Sequence, residues 1–195
     1  MKSNVQVFIF VIILGVVTSV LLLGADALTS ERIIANREAE LQSTILDAYG
    51  VTYTFGNIST VFEDRVEVVT VDDFTFYVDK ETSAVSYVFE GSGLWGPIVG
   101  IISLEADFET ILSITIFQQQ ETPGLGGRVA ERRYLDTFAG VKMVPVIVIT
   151  RDGADGPNEA DAITGATGTS TAFENILNAS YDAHRSAWLS VQNGG

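Results

Sequence analysis

From Ser3 to Ala25 the chain carries 23 consecutive residues without a charge, and Val5 to Leu23 within that run is nearly all Val, Ile, Leu and Phe. At about 1.5 Å of rise per residue, those 19 residues reach roughly 28 Å as a helix, close to the hydrocarbon thickness of a bilayer. The segment therefore reads as a membrane-spanning helix. A cleaved signal peptide is the competing reading, since Ala25-Asp26-Ala27 has the small-x-small form of a cleavage site. The apolar stretch exceeds the roughly 7 to 15 residues usual in such leaders, which favours retention as an anchor. The chain has no Cys, so a lipoprotein anchor is excluded.

Charges at the two ends of the run set its direction. Lys2 and the free amine precede it, whereas Asp26 and Glu31 follow, diluted by Arg32 and Arg37. Excess positive charge stays on the cytoplasmic side, so the bulk of the chain is expected outside the inner membrane, as a single-pass protein. With 11 Lys and Arg against 25 Asp and Glu, the formal charge is -14. A phosphate backbone is repelled by such a domain, which excludes nucleic acid as a partner. Anionic lipid is disfavoured too, so attachment falls to the helix alone. The absence of Cys also removes thiolate nucleophiles, disulfides and cysteine-held clusters, and a single His leaves no metal site to expect.

The length of 195 residues fits one compact domain plus a small appendage. We expect residues 1–27 as cytoplasmic start and anchor, 28–50 as a stalk helix and 51–195 as the extracytoplasmic domain. Thr29 to Asp47 has an apolar stripe of Ile33, Ala35, Leu41, Ile45 and Leu46, and Gly50 stops it. Beyond Gly50 the period becomes two, with strands predicted at 66–71, 74–78, 85–89, 97–104 and 110–117. Glu131–Phe138 reads as a short helix, Val144–Thr150 as an apolar strand covered on both faces, and Arg151–Ala160 as a loop. In the last helix, Thr171–Val191, Phe173, Ile176, Leu177, Tyr181, His184, Trp188 and Val191 recur at three and four. This order predicts an α+β domain with a mostly antiparallel sheet and flanking helices.

Two glycine-rich segments interrupt the pattern. Glu121-Thr-Pro-Gly-Leu-Gly-Gly-Arg128 follows a strand, and its glycines let backbone approach a ligand closely; a tight turn is the plainer reading. Ile163-Thr-Gly-Ala-Thr-Gly-Thr-Ser-Thr171 precedes the last helix, where Thr171 and Glu174 form a capping box. Anions settle at such helix starts, but a well-capped terminus accounts for the same residues. Neither segment is a dinucleotide fingerprint or a P-loop. A serine hydrolase is excluded, as there is no G-x-S-x-G and His184 lies deep in a helix. Trp95, within Gly93-Leu-Trp-Gly-Pro97, is either core packing or a stacking wall.

Taken together the segments resemble a known family. Thr164-Gly-Ala-Thr-Gly-Thr169 resembles the S/T-G-A-T-x-S/T flavinylation motif of FMN-binding domains, with Thr164 in place of the usual Ser and Gly168 at the variable position. Glu121-Thr-Pro-Gly-Leu-Gly126 and Gly93-Leu-Trp-Gly-Pro97 resemble two further hallmarks of that family. The family comprises the G subunit of the Rnf electron-transport complex and the C subunit of the sodium-pumping NADH:quinone oxidoreductase.

The resemblance implies that a flavin transferase moves FMN from FAD onto the Thr169 hydroxyl as a phosphoester. It implies that Thr164, Gly165, Ala166, Thr167 and Gly168 surround the attachment point. Glu121, Thr122, Gly124, Leu125, Gly126 and Trp95 then contact the flavin, and no residue of this chain is a catalytic acid or base. The protein is on this reading an electron-transfer subunit rather than an enzyme on its own, and its partners are the other subunits of a membrane oxidoreductase complex. Arg128 and Arg132 are the nearest candidate cations, expected as solvated surface charge. Two alternatives stay open: a free-standing membrane-tethered flavin carrier, and an anchored ligand-binding module without flavin.

Overall fold

The computed structural model describes residues 2–193; Met1, Gly194 and Gly195, at the ends of the expected anchor and domain, lie outside them. The chain divides into two compact units, Met1–Gln42 and Ser43–Gly195. Helix α1 (Lys2–Ala48) contains both the apolar run and the Thr29–Asp47 stretch. In the first unit every side chain from Val5 to Thr29 is exposed, and by length and composition this part of α1 is able to cross a membrane.

In the second unit the last turn of α1 buries Ile45 and Leu46 completely. A short helix follows, α2 (Ile58–Arg65), in a stretch to which the sequence reading assigns no element. Its entry is organised by Asn57, whose Oδ1 accepts from Thr54 N at 2.6 Å and Thr54 Oγ1 at 3.0 Å. Ile58 and Phe62, four residues apart, bury the same side.

Five strands then form an antiparallel meander in chain order: β1 (Val66–Val71), β2 (Phe74–Asp79), β3 (Val85–Ser92), β4 (Pro97–Leu104) and β5 (Ile111–Gln118). All five fall where strands are read from alternation and turn residues, with β3 running three residues further and β2 and β5 ending one residue later than expected. The β3–β4 hairpin pairs from Val85↔Leu104 to Ser92↔Pro97, and Val99 pairs with Gln118. The hairpin tip at 93–96 and the loop leaving β5 are thereby at one end of the sheet.

Helix α4 (Thr167–Asn193) lies on one face of this sheet. Phe76, Tyr87 and Phe89 meet Phe173, Ile176, Leu177, Tyr181 and Trp188 in a single buried cluster, each large side chain stabilising the fold by about 1.5–3 kcal/mol. On the other face Tyr49 donates to Tyr77 O at 2.6 Å and bonds Ser86 Oγ at 2.8 Å. Asp79, fully buried, bonds Arg65 Nε at 2.5 Å and the Thr82 hydroxyl, closing the turn after β2.

Three expectations between β5 and α4 are corrected. The helix expected over Glu131–Phe138 is one turn, α3 (Arg132–Leu135), flanked by 3-10 turns at Gly126–Ala130 and Asp136–Phe138. The strand expected over Val144–Thr150 is only β6 (Val148–Thr150), with Val146 and Val148 exposed rather than covered. Pro145 lacks the N–H a central ladder needs, and the N–H groups of Ile147 and Ile149 are taken by α4 side chains. Ile147 exchanges two bonds of 2.9 Å with the Asn178 amide, and Ile149 N donates to Glu174 Oε2 at 2.5 Å. Finally, the expected 151–160 loop ends in a strand, β7 (Glu159–Asp161), parallel to β6.

The start of α4 is also earlier than expected, at Thr167 rather than Thr171. The Thr171–Glu174 capping box does not form, because Thr171 lies inside α4 rather than at its start; Glu174 accepts instead from Ile149 N. Ser170 does the local work instead: its Oγ accepts from Ile163 N at 3.0 Å and donates to Ala166 O at 3.1 Å.

Candidate functional site

Three separate stretches meet at the N-terminal turn of α4. The first is the hairpin tip Gly93–Gly96, closed by Gly93 N donating to Gly96 O at 2.9 Å. The second is the loop after β5, where Leu125 N and Gly127 N both donate to Thr122 O, at 3.1 and 2.9 Å. The third is Thr164–Thr169.

Glu121 joins all three. Its side chain is buried, with 4% exposure, and its Oε1 accepts from Leu94 N at 2.8 Å and Trp95 N at 3.0 Å. The other oxygen, Oε2, accepts from Thr169 Oγ1 at 2.6 Å. Thr169 is itself 1% exposed. Gln119 fixes the approach, since its Oε1 accepts from Glu121 N at 2.6 Å.

Two glycines make room for this carboxylate. A Cβ at Gly93 would lie 2.6 Å from Glu121 Oε1, and a Cβ at Gly126 would collide with Thr169 Oγ1 and lie 2.8 Å from Glu121 Oε2. A Cβ at 126 therefore has to displace the Thr169 hydroxyl or the carboxylate, and one at 93 the carboxylate or the hairpin tip.

Around the buried pair the surface is apolar. Trp95 is 69% exposed, which rules out the core-packing reading, and Leu94 and Leu125 are about half exposed. Leu125 Cδ2 stands 3.6 Å from where a Cβ of Gly165 would be, and Leu94 Cδ2 stands 3.0 Å from the corresponding point on Gly168. Exposed Leu94, Trp95 and Leu125 thus border the turn that carries Thr169. Thr122, Gly124, Thr164, Gly165 and Gly168 are exposed, Thr167 is partly so, and Ala166 and Gly126 are buried.

Every residue that the family resemblance assigns to the site lies in one of these three segments. Sequence reasoning missed Leu94, Gly93 and Gln119. The glycine is visible as part of Gly93-Leu-Trp-Gly-Pro97, but nothing in the spacing indicates that the amides of residues 94 and 95 bind a distant carboxylate. Arg128 pairs with Glu131 at 3.7 Å and Arg132 with Asp136 at 3.3 Å, as surface ion pairs outside the site. A cavity of about 280 Å³ lined by residues such as Thr44, Leu112 and Arg132 includes none of the three segments. His184 is remote in role: it stacks on Tyr87 at 4.0 Å, and burial lowers its pKa. Among the described residues no group of His, Cys, Asp and Glu is arranged to hold a metal.

Residues 93–182, which contain all three segments, match the FMN-binding domain family. Among curated relatives, the C subunit of the Na(+)-translocating NADH-quinone reductase of Vibrio alginolyticus is 34% identical over 111 residues, covering 52% of this chain and 43% of that protein. Its counterpart in Pasteurella multocida is 25% identical, covering 85% of each chain. The chain spans about half the length of the first of these relatives. The crystal structure of NqrC from Shewanella oneidensis has the same fold, with a TM-score of 0.68 at 19% identity over 75% of this chain and 93% of that one. The corresponding crystal structure from Parabacteroides distasonis gives 0.63 at 22% identity over 74% and 89%.

Proposed function

Because residues 93–182 belong to the FMN-binding domain family, we propose that the protein is a membrane-anchored flavoprotein subunit that carries FMN covalently on Thr169. It relays electrons within a membrane oxidoreductase complex of the Nqr or Rnf type. The single observation that carries this reading is the meeting of residues 93–96, 121–127 and 164–169 around one hydroxyl, Thr169 Oγ1.

The residues present fit a flavin mononucleotide. Exposed Leu94, Trp95 and Leu125 offer apolar and stacking surface to a flat ring. Gly124 and the amides of the Thr122–Gly127 loop allow close backbone approach. Thr169 lies in the first turn of α4, where the helix's positive end favours the remaining phosphate charge. FMN, when bound, supplies the redox chemistry; the protein places it and tunes its surroundings. A covalent link keeps the cofactor on the protein irrespective of its free concentration.

Partners on this reading are the neighbouring subunits of the complex and a flavin transferase that uses FAD. The anchor is α1, with the domain on the outer side of the inner membrane. The test is intact mass and peptide mapping of the full chain produced together with a flavin transferase. One FMN phosphoester on the peptide containing Thr169 is expected; an unmodified mass, or an adduct on another residue, overturns the assignment.

A further inference from the structure

Glu121 has a property that cofactor contact alone does not explain. It is a buried carboxylate with no cationic partner: among the described residues its hydrogen bonds come from the amides of Leu94 and Trp95 and from the Thr169 hydroxyl. Burying a charge costs more than burying a neutral amide, and a Gln side chain would accept from the same two amides. A carboxylate here has two capacities that Gln lacks: Oε2 accepts from the Thr169 hydroxyl where Gln would present an NH2 donor, and it can take that hydroxyl's proton. The proton in reach is the one on Thr169 Oγ1, 2.6 Å away. The two amides hold Oε1 and so aim Oε2 at Thr169, and the room for this arrangement exists because positions 93 and 126 have no Cβ.

Resting on the reading that Thr169 is the attachment point, we propose that Glu121 is the proton acceptor for its own chain's esterification. Thr169 Oγ1 forms a bond to the flavin-side phosphorus of FAD, and the bond from that phosphorus to the bridging oxygen breaks. Adenylate leaves with the electron pair. The hydroxyl proton passes to Glu121 Oε2 and from there to water, with no change of oxidation state. The transferase brings FAD to the site, while the acceptor chain activates its own hydroxyl. A threonine hydroxyl is a weak nucleophile unless a base adjoins it.

The experiment is a time course of adduct formation by mass spectrometry, with the full chain in detergent, purified flavin transferase and FAD. It yields kcat and KM with respect to this chain. Glu121→Gln is expected to lower kcat by about 100-fold or more with KM unchanged, and Glu121→Asp to recover part of that loss. A folded Gln chain modified at the wild-type kcat, or altered in KM alone, overturns the proposal. Should the Gln chain fail to fold, Glu121→Asp decides by itself: a kcat lowered about tenfold at unchanged KM supports the proposal, and an unchanged kcat overturns it. Failure of the wild-type chain to gain any mass is a separate result, which overturns attachment at Thr169 and this proposal with it.

Discussion

Thr169 Oγ1 donates to Glu121 Oε2 across 2.6 Å, although 48 residues separate the two in sequence and both side chains are buried. One belongs to the first turn of α4 and the other to the loop leaving β5, so the bond ties the helix to the end of the sheet. Its position is fixed from the third side as well, since the same carboxylate binds the Leu94 and Trp95 amides at the β3–β4 tip.

Replacing Thr169 with Ala removes the hydroxyl and is expected to abolish the flavin adduct. The domain stays folded, because Ser170 still bonds Ile163 N and Ala166 O. Glu121 Oε2 loses its donor, which costs about 1–3 kcal/mol. Thr169→Ser keeps both hydroxyl and adduct. Mass spectrometry and urea unfolding of the two variants check both points.

Gly126→Ala is the sharpest steric probe of the pair. Its new Cβ would overlap Thr169 Oγ1, so the hydroxyl and the carboxylate must separate, at a cost of about 1–3 kcal/mol. Flavin loading should fall with it. Gly140→Ala, outside the three segments, is the contrast: its φ of +83° is strained for Ala, but nothing lies within 4 Å. It should cost about 1–2 kcal/mol and leave loading intact. Thermal unfolding together with the adduct fraction separates the two.

The meander and the three motif segments are legible in the sequence because their signals are local: alternation for the strands, turn residues between them, and glycine and hydroxyl spacing at the site. What lies beyond reach depends on partners distant in sequence. Glu174 reads as half of a capping box, yet it accepts from Ile149 N. Glu174 and Asn178 occupy the backbone of 147–149, beside the short β6. In the same way Glu121-Thr-Pro-Gly-Leu-Gly126 points to a ligand loop, while the burial of Glu121 under the hairpin tip is set by tertiary contact. The helix α2 escapes a sequence reading because Ile58 and Phe62 give only one repeat of helical period.

Acid should weaken the domain near neutrality through His184. Its burial against Phe74, Phe76 and Tyr87 holds its pKa below the ordinary 6.5, only partly opposed by the Ser180 carbonyl. A carbonyl only accepts, so Nδ1, 2.7 Å from Ser180 O, carries the proton. The unfolded chain takes up a second ring proton as pH falls through about 6.5, whereas the folded chain resists. Stability is therefore full above that pH and declines below it, until the lowered folded pKa is passed. Urea midpoints measured from pH 8 to pH 5 should fall in the wild type and fall less in His184→Phe. Asp79 acts in a separate, more acid window: its burial cost is outweighed by Arg65 and Thr82, which hold its pKa below the ordinary carboxylate value.

The side of the membrane occupied by the domain is open to a direct chemical test, because the chain has no Cys of its own. Phe55 is 94% exposed, so Phe55→Cys places a single reactive thiol on the domain at little cost to its packing. Ser3→Cys places one before the apolar run. If Lys2 and the amine hold the first residues in the cytoplasm, a membrane-impermeant maleimide labels the thiol at 55 in intact spheroplasts and reaches the thiol at 3 only after lysis. The reverse pattern would put the domain in the cytoplasm. Labelling of both thiols in unbroken cells would mean that the segment does not span. The first outcome places Thr169 outside the cytoplasm, so that the attachment proposed above would require the transferase and FAD to meet it there, where a covalent link would hold the flavin irrespective of its free concentration.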